Sequence, residues 1–206
     1  MGDVFRKSGK YYPTNAPTNA VIVEIGSDRF EGSTIYYSTL AQKHNTELYS
    51  VDVLPEASER LGDVPNTKWC VEKGSVWSKD GLLGKTISCL YLDNYDYIWE
   101  VGLPTDHIDR LKGLNNQDCA LEHLQQMINL LPYMCPEGIV VCDDTYTFNG
   151  CWIGKCGAVV TYLLAHGYEI VENDDRLIKH PPDSPAFDPK QPQTQSNGLI
   201  LKAPRK

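Results

Sequence analysis

The 206-residue chain is long enough for one domain that buries roughly 70% of the surface its unfolded form exposes. Hydrophobic residues at 41% and charged residues at 22% exclude wholesale disorder and a fibrous repeat. The net charge of −8, from 27 acidic against 19 basic residues, offers no broad cationic surface to a phosphate backbone, so nucleic acid is expected to be no partner. No apolar run approaches a membrane span, and the first 19 residues lack the apolar centre of a signal peptide. The expectation is a cytoplasmic protein with no membrane partner, and a homo-oligomer is compatible with it. Seven cysteines suit a reducing compartment. Cys151 and Cys156 form a C-x4-C pair, but without a second pair or a nearby histidine free thiols are favoured over a zinc site.

Residues 1–19, with Pro13, Pro17, Asn15 and Asn19, read as an extended N-terminal arm, and residues 20–206 as a single domain. From Ala20 onward, β-rich runs alternate with helical ones. Strands are expected at Ala20–Ile25, Glu47–Val53, Lys68–Glu72, Ile87–Asp93, Gly138–Asp143 and Tyr168–Glu172, with helices at Ser33–Lys43, Asp118–Leu131 and Gly154–His166. The second helix carries Leu121, Leu124, Ile128 and Leu131 as its apolar stripe. A proline-rich loop at 180–197 precedes a last apolar strand, Gly198–Ala203. Its prolines forbid much helix, so this strand should pair antiparallel, because a parallel crossover normally includes a helix. The fold class is therefore α/β: a doubly wound, Rossmann-like seven-stranded sheet, mostly parallel with an antiparallel last strand.

In VIVEIGSDRFEGSTIYY the first strand delivers Glu24 and then Gly26, which lets the backbone turn tightly and approach a ligand. The helix opens at Gly32-Ser33-Thr34, where a hydroxyl can cap exposed amides. The second strand ends at Asp52, where a carboxylate can accept both hydroxyls of a ribose. A dinucleotide site needs G-x-G-x-x-G for its pyrophosphate. Here Asp28 and Glu31 lie between the glycines, and they would repel a pyrophosphate yet tolerate the sulfonium and amino group of S-adenosylmethionine.

Asp93 closes the fourth strand and Asp143-Asp144 the fifth. Neighbouring strands lie about 4.8 Å apart with their C-terminal ends at the ligand crevice, so three acids converge. Such crowding is relieved by a proton, a basic residue or a cation. Magnesium, with octahedral oxygen ligation and room for substrate oxygens, suits it. On the other reading, Asp93 orients a ligand and the adjacent acids only form a turn.

The segments EIGSDRFEGST, YSVDV, LYLDNYDY and IVVCDDTYTFNGCWIGKCGAVVTYLLAHGY, within residues 20–172, resemble class I S-adenosylmethionine-dependent methyltransferases related to the metal-dependent O-methyltransferases of catechol, macrocin and cephalosporin-cluster type. The resemblance implies that Glu24, Gly26, Ser27, Gly32, Ser33 and Asp52 hold the cofactor and that Gly74-Ser75 contacts adenine. It implies a divalent ion, magnesium, on Asp93, Asp143 and Asp144. The catechol-type turn is shorter between its glycines, so Asp28–Glu31 form a loop of this subgroup's own. Where the catechol type has a basic lysine, three residues after its first metal acid, this chain has Asp96. Asp96, Asp106 and His107 become the candidates for the general base, with Asp93 at the chemistry.

The loops at 94–116, 144–153 and 173–197 are expected to form the acceptor pocket, with Tyr95, Tyr97, Trp99, Tyr146, Phe148, Trp152 and Phe187 as its walls. The function expected is metal-assisted O-methylation of a small-molecule hydroxyl on a sugar, polyketide-like or phenolic acceptor. The alternatives are a non-catalytic S-adenosylmethionine-binding protein and a nicotinamide oxidoreductase.

Overall fold

Strand β1 (Ala20–Ile25) carries AVIVEI with every residue buried, as a strand covered on both faces must be. The computed structural model describes residues 4–28, 30–82, 84–94, 116–174 and 198–205. Around β1 stand β2 (Leu48–Asp52), β3 (Thr67–Val71), β4 (Thr86–Leu92), β5 (Met134–Cys142), β8 (Glu169–Asp174) and β9 (Gly198–Lys202), in the order β3-β2-β1-β4-β5-β9-β8. The pairs from β3 through β5 are parallel, and β9 runs antiparallel to both β5 and β8. The expected sheet is thus present, with its terminal strand inserted antiparallel between β5 and β8. The strand order reverses between β1 and β4, which puts the ligand crevice at their C-terminal ends.

Alternation along the strands divides the core between two faces. Val21, Val23, Ile25, Leu90, Leu92, Val140 and Cys142 face helices α4 (Gly74–Asp80), α5 (Asn116–Leu130) and α6 (Gly157–Ala165). Ile22, Leu48, Cys89, Tyr91, Ile139 and Val141 face α1 (Val4–Lys7) and α2 (Ser33–Lys43). A short α3 (Glu56–Leu61) follows β2.

Three features differ from the sequence reading. The N-terminal segment is not simply extended: α1 and a 3-10 turn at Ser8–Lys10 dock on the sheet. Val4 and Phe5 are buried at 0% and 1% exposure, and Lys7 and Tyr11 both reach Glu172, at 2.9 and 2.6 Å. Prolines and asparagines obscured two apolar residues that complete a core. Next, the stripe expected on α5 is rotated. Leu121 and Ile128 are exposed, whereas Cys119, His123, Gln126, Met127 and Leu130 are buried, with His123 accepting the Asn94 amide on the inner face and Gln126 donating to Glu122 of the same helix. Finally, residues 145–154 form a hairpin of β6 (Thr145–Phe148) and β7 (Cys151–Gly154), and α6 begins after it, at Gly157. Its turn, Asn149-Gly150, has φ of +49° and +77°, and Asn-Gly flanked by β-formers is the sequence signal for such a hairpin.

Candidate functional site

Gly26 ends β1 with φ +92°, and a Cβ there would lie 1.7 Å from the Asp93 carbonyl oxygen. The Asp93 amide donates to the Ile25 carbonyl at 2.8 Å. The turn after β1 and the end of β4 are therefore in backbone contact, and glycine is required for it.

Within that turn the acids have unequal roles. Glu24 is fully buried and accepts hydrogen bonds from the hydroxyls of Ser33, Thr34 and Ser50, each at 2.6 Å. Burial pushes its carboxyl up to about 8, against the pull of the three hydroxyls. Glu24 is thus enclosed by the three hydroxyls it orients, Ser33 among them. Asp28, 3% exposed, accepts the Phe30 and Gly32 amides at 2.6 and 3.1 Å. Arg60 closes on the same loop, donating to the Asp28 carbonyl at 2.7 Å. Asp28 thus organises the loop. Asp52, half-buried at the end of β2, accepts the Ser27 amide at 2.9 Å and the Leu54 amide at 3.0 Å, which sets its carboxylate beside the turn. Gly32, at φ +86°, is the N-cap of α2 and makes no side-chain cap. Ser33 and Thr34 do not cap either, since their hydroxyls serve Glu24.

Gly74 opens α4. A Cβ there would lie 2.4 Å from Gln126 Nε2 and 2.7 Å from Ile25 Cγ2, so its glycine serves the packing of α4 on α5 and β1. The Ser75 amide donates to Glu122 Oε1 at 2.9 Å.

The three aspartates do converge: Asp93, Asp143 and Asp144 offer carboxylate oxygens within 4.8 Å of one another. The Tyr91 hydroxyl touches two of them, Asp93 Oδ2 at 3.1 Å and Asp143 Oδ2 at 3.3 Å. Asp143 is buried and its Oδ1 has no hydrogen-bond partner among the described residues. Burial, reinforced by the charges of Asp93 and Asp144, holds its carboxyl well above the usual range.

Lys155, absent from the sequence-based set, completes this centre. Its ammonium lies 2.6 Å from Asp93 Oδ1 and 2.8 Å from Asp144 Oδ2, with the side chain 2% exposed. The hairpin delivers it. Gly154 has φ +89°, and its missing Cβ would fall 2.1 Å from the Asp144 carbonyl, while the Lys155 amide donates to that same carbonyl at 3.1 Å. Thr145 Oγ1 donates to the Asp143 carbonyl at 2.7 Å and receives the Cys156 amide at 3.1 Å. The oxygens are of the kind magnesium takes. Two of the three carboxylates are already paired with a buried ammonium, however, so with Lys155 in place the residues do not fit a divalent ion.

His123 was also missed. Buried on α5, it accepts the Asn94 amide at Nε2 (3.0 Å) and bonds the Cys119 carbonyl through Nδ1 (2.9 Å). A neutral ring with its proton on Nδ1 satisfies both contacts, and it pins the chain just beyond Asp93. Asp96, Asp106 and His107, expected as bases, and Tyr95, Tyr97, Trp99 and Phe187, expected as pocket walls, lie outside the described residues. Tyr146 and Trp152 are half-buried on the hairpin. Cys151 is exposed and Cys156 buried.

By sequence, no family model matches the chain and no curated protein does. Solved structures do. An rRNA methylase from Streptococcus thermophilus matches with TM-score 0.56 at 12% identity, over 98% of this chain and 94% of that one. The N-methyltransferase NodS from Bradyrhizobium japonicum WM9, in complex with S-adenosyl-L-homocysteine, matches with TM-score 0.53 at 14% identity, over 90% and 79%. NSun6 from Pyrococcus horikoshii matches with TM-score 0.53 at 14% identity, over 100% of this chain and 53% of that one. The expected exclusion of nucleic acid is overturned by the first of these, since an rRNA methylase shares the architecture along nearly its whole length. Net charge is a sum over the molecule, whereas an acceptor meets only the crevice. The fold of this chain is that of the methyltransferases it matches.

Proposed function

We propose that the chain is an S-adenosylmethionine-dependent methyltransferase that methylates an acceptor oxygen beside Asp93, Asp143 and Asp144. The observation that carries this reading is the contact of the Gly26 turn with Asp93, which joins a cofactor-type turn to a carboxylate centre at the reversal point of the sheet. The cofactor fits the residues present. Asp52 stands half-buried at the end of β2 with its carboxylate held by backbone amides, suited to a ribose diol. When bound, the cofactor supplies an electrophilic methyl group on a positively charged sulfur. The chain's own residues then orient the acceptor. Carboxylate oxygens of the centre accept the hydrogen of its hydroxyl, and placement for in-line attack is itself a large part of such a rate enhancement. Tyr146 and Trp152, on the hairpin leaving Asp144, are suited to the flat face of a phenolic or sugar ring.

Calorimetry with S-adenosylmethionine tests the cofactor half, and absence of binding to the intact chain would sink it. Asp93→Ala is expected to keep cofactor binding and to lose roughly 100-fold or more in methyl transfer, the usual scale for a positioned acid–base group. A chain that binds cofactor and transfers no methyl group to any acceptor pool would instead be a binding protein. A second reading, an RNA acceptor, is favoured by the full-length likeness to an rRNA methylase. Transfer of radiolabelled methyl to total RNA in preference to hydroxylated small molecules would select it.

A further inference from the structure

We infer that Lys155 is the resident cation of the aspartate centre, occupying the position where a divalent ion would neutralise Asp93 and Asp144. The inference concerns the site of the proposed methyl transfer, but it stands on geometry that needs neither cofactor nor acceptor. The ammonium is 2.6 Å from Asp93 Oδ1 and 2.8 Å from Asp144 Oδ2, short contacts of the charge-assisted kind. At 2% exposure it has little water to return to. The backbone fixes it there: the Asp144 carbonyl occupies the space of a Cβ on Gly154 and accepts the Lys155 amide. Lys155 is thus held to Asp144 by main chain and side chain together.

A divalent ion on these oxygens would sit about 2.0–2.6 Å from each. Its charge would then lie within a few ångströms of the ammonium, which is itself nearly excluded from solvent, so the repulsion is screened chiefly from the Asp144 side, 32% exposed. Either the lysine or the ion can fill the place between Asp93 and Asp144. Asp143 Oδ1, buried and without a partner among the described residues, marks the side of the centre from which an acceptor hydroxyl or amine would donate a hydrogen bond. Lys155 is accordingly a positioning residue: it holds two carboxylates at fixed spacing and supplies positive charge next to an acceptor atom that gives up a proton.

The test is a Mn2+ titration of the full chain, followed by the electron paramagnetic resonance signal of the free ion. The native chain is expected to show no site below millimolar Mn2+. Lys155→Met, checked for folding by circular dichroism, is expected to bind Mn2+ roughly tenfold or more tightly, since a buried repulsion of this kind is removed. Asp93→Asn in that background should abolish the gain. Lys155→Arg, which keeps the charge, should bind as weakly as the native chain. Micromolar Mn2+ binding by the native chain that Asp93→Asn removes would overturn the inference, as would a folded Lys155→Met with no gain. If Lys155→Met fails to fold, the native and Lys155→Arg titrations decide. These readouts are blind to S-adenosylmethionine, so their failure is separable from failure of the methyltransferase reading.

Discussion

Glu24 shows how one buried acid ties stability to pH. Its carboxyl ordinarily titrates near 4.5 and here is pushed up to about 8, chiefly by burial. Between those values the folded chain holds a proton that the unfolded chain has released, so stability is greatest at the acid end and falls as pH rises. The slope approaches about 1.4 kcal/mol per pH unit for one proton, and Asp143, also raised, acts in the same sense. Glu24→Gln keeps the shape of the side chain but cannot ionise. Urea denaturation at pH 5 and pH 8 is expected to show a smaller stability difference for Glu24→Gln than for the native chain, and an equal difference would refute the assignment. Asp28 has the opposite character. It is spent on the Phe30 and Gly32 amides, so the acid-rich turn, which suggested repulsion of a pyrophosphate, owes that acid to loop structure.

At the scale of elements, two short pieces matter more than their length suggests. Helix α1 spans four residues, too few to persist alone, since isolated short helices are unstable in water. It holds because Phe5 packs against Tyr36, Tyr37 and Tyr91, with ring centroids 5.5, 6.3 and 5.9 Å away, and because Gly198 leaves room for Val4. Phe5→Ala is expected to destabilise the chain by about 3–5 kcal/mol, the scale of a buried phenylalanine truncation. A denaturant midpoint that does not move would place the segment outside the cooperative core. The β6–β7 hairpin is the other piece: it turns the chain back within ten residues so that Lys155 returns to the carboxylate Asp144 that precedes it. Neither the pairing nor its consequence follows from treating 144–153 as a loop.

For the whole molecule, the excess of acids does not choose the acceptor. Charge acts over a Debye length, about 8–10 Å at physiological salt, so a summed −8 says little about one crevice. The two acceptor classes nevertheless differ in their response to salt. RNA binding through several phosphates falls steeply, by roughly 10³–10⁵ between 50 and 200 mM for six to ten contacts, whereas a neutral hydroxyl acceptor involves no counterion release. Methylation of a neutral acceptor is expected to change little over that range, measured as kcat/KM. A steep loss would point to a polyanionic acceptor. Among the described residues no helix is long and apolar enough to cross a membrane.

The sequence by itself determined the alternation of strands and helices, the antiparallel last strand, the Gly26 turn and the meeting of Asp93 with Asp143-Asp144. Each is written in local periodicity, in turn chemistry or in strand ends that a doubly wound sheet must bring together. Only the tertiary structure decided which acids sustain the turn and which share a centre with a lysine. It also decided that His123 and Gln126, polar on an apparently outer face, point inward, and that Lys155 enters the aspartate centre. These outcomes depend on partners distant in sequence: Asn94 for His123, the Asp93 carbonyl for Gly26, and Asp93 and Asp144 for Lys155. A charged or polar residue is buried when the fold brings its complement within hydrogen-bonding distance, and periodicity carries no record of that complement.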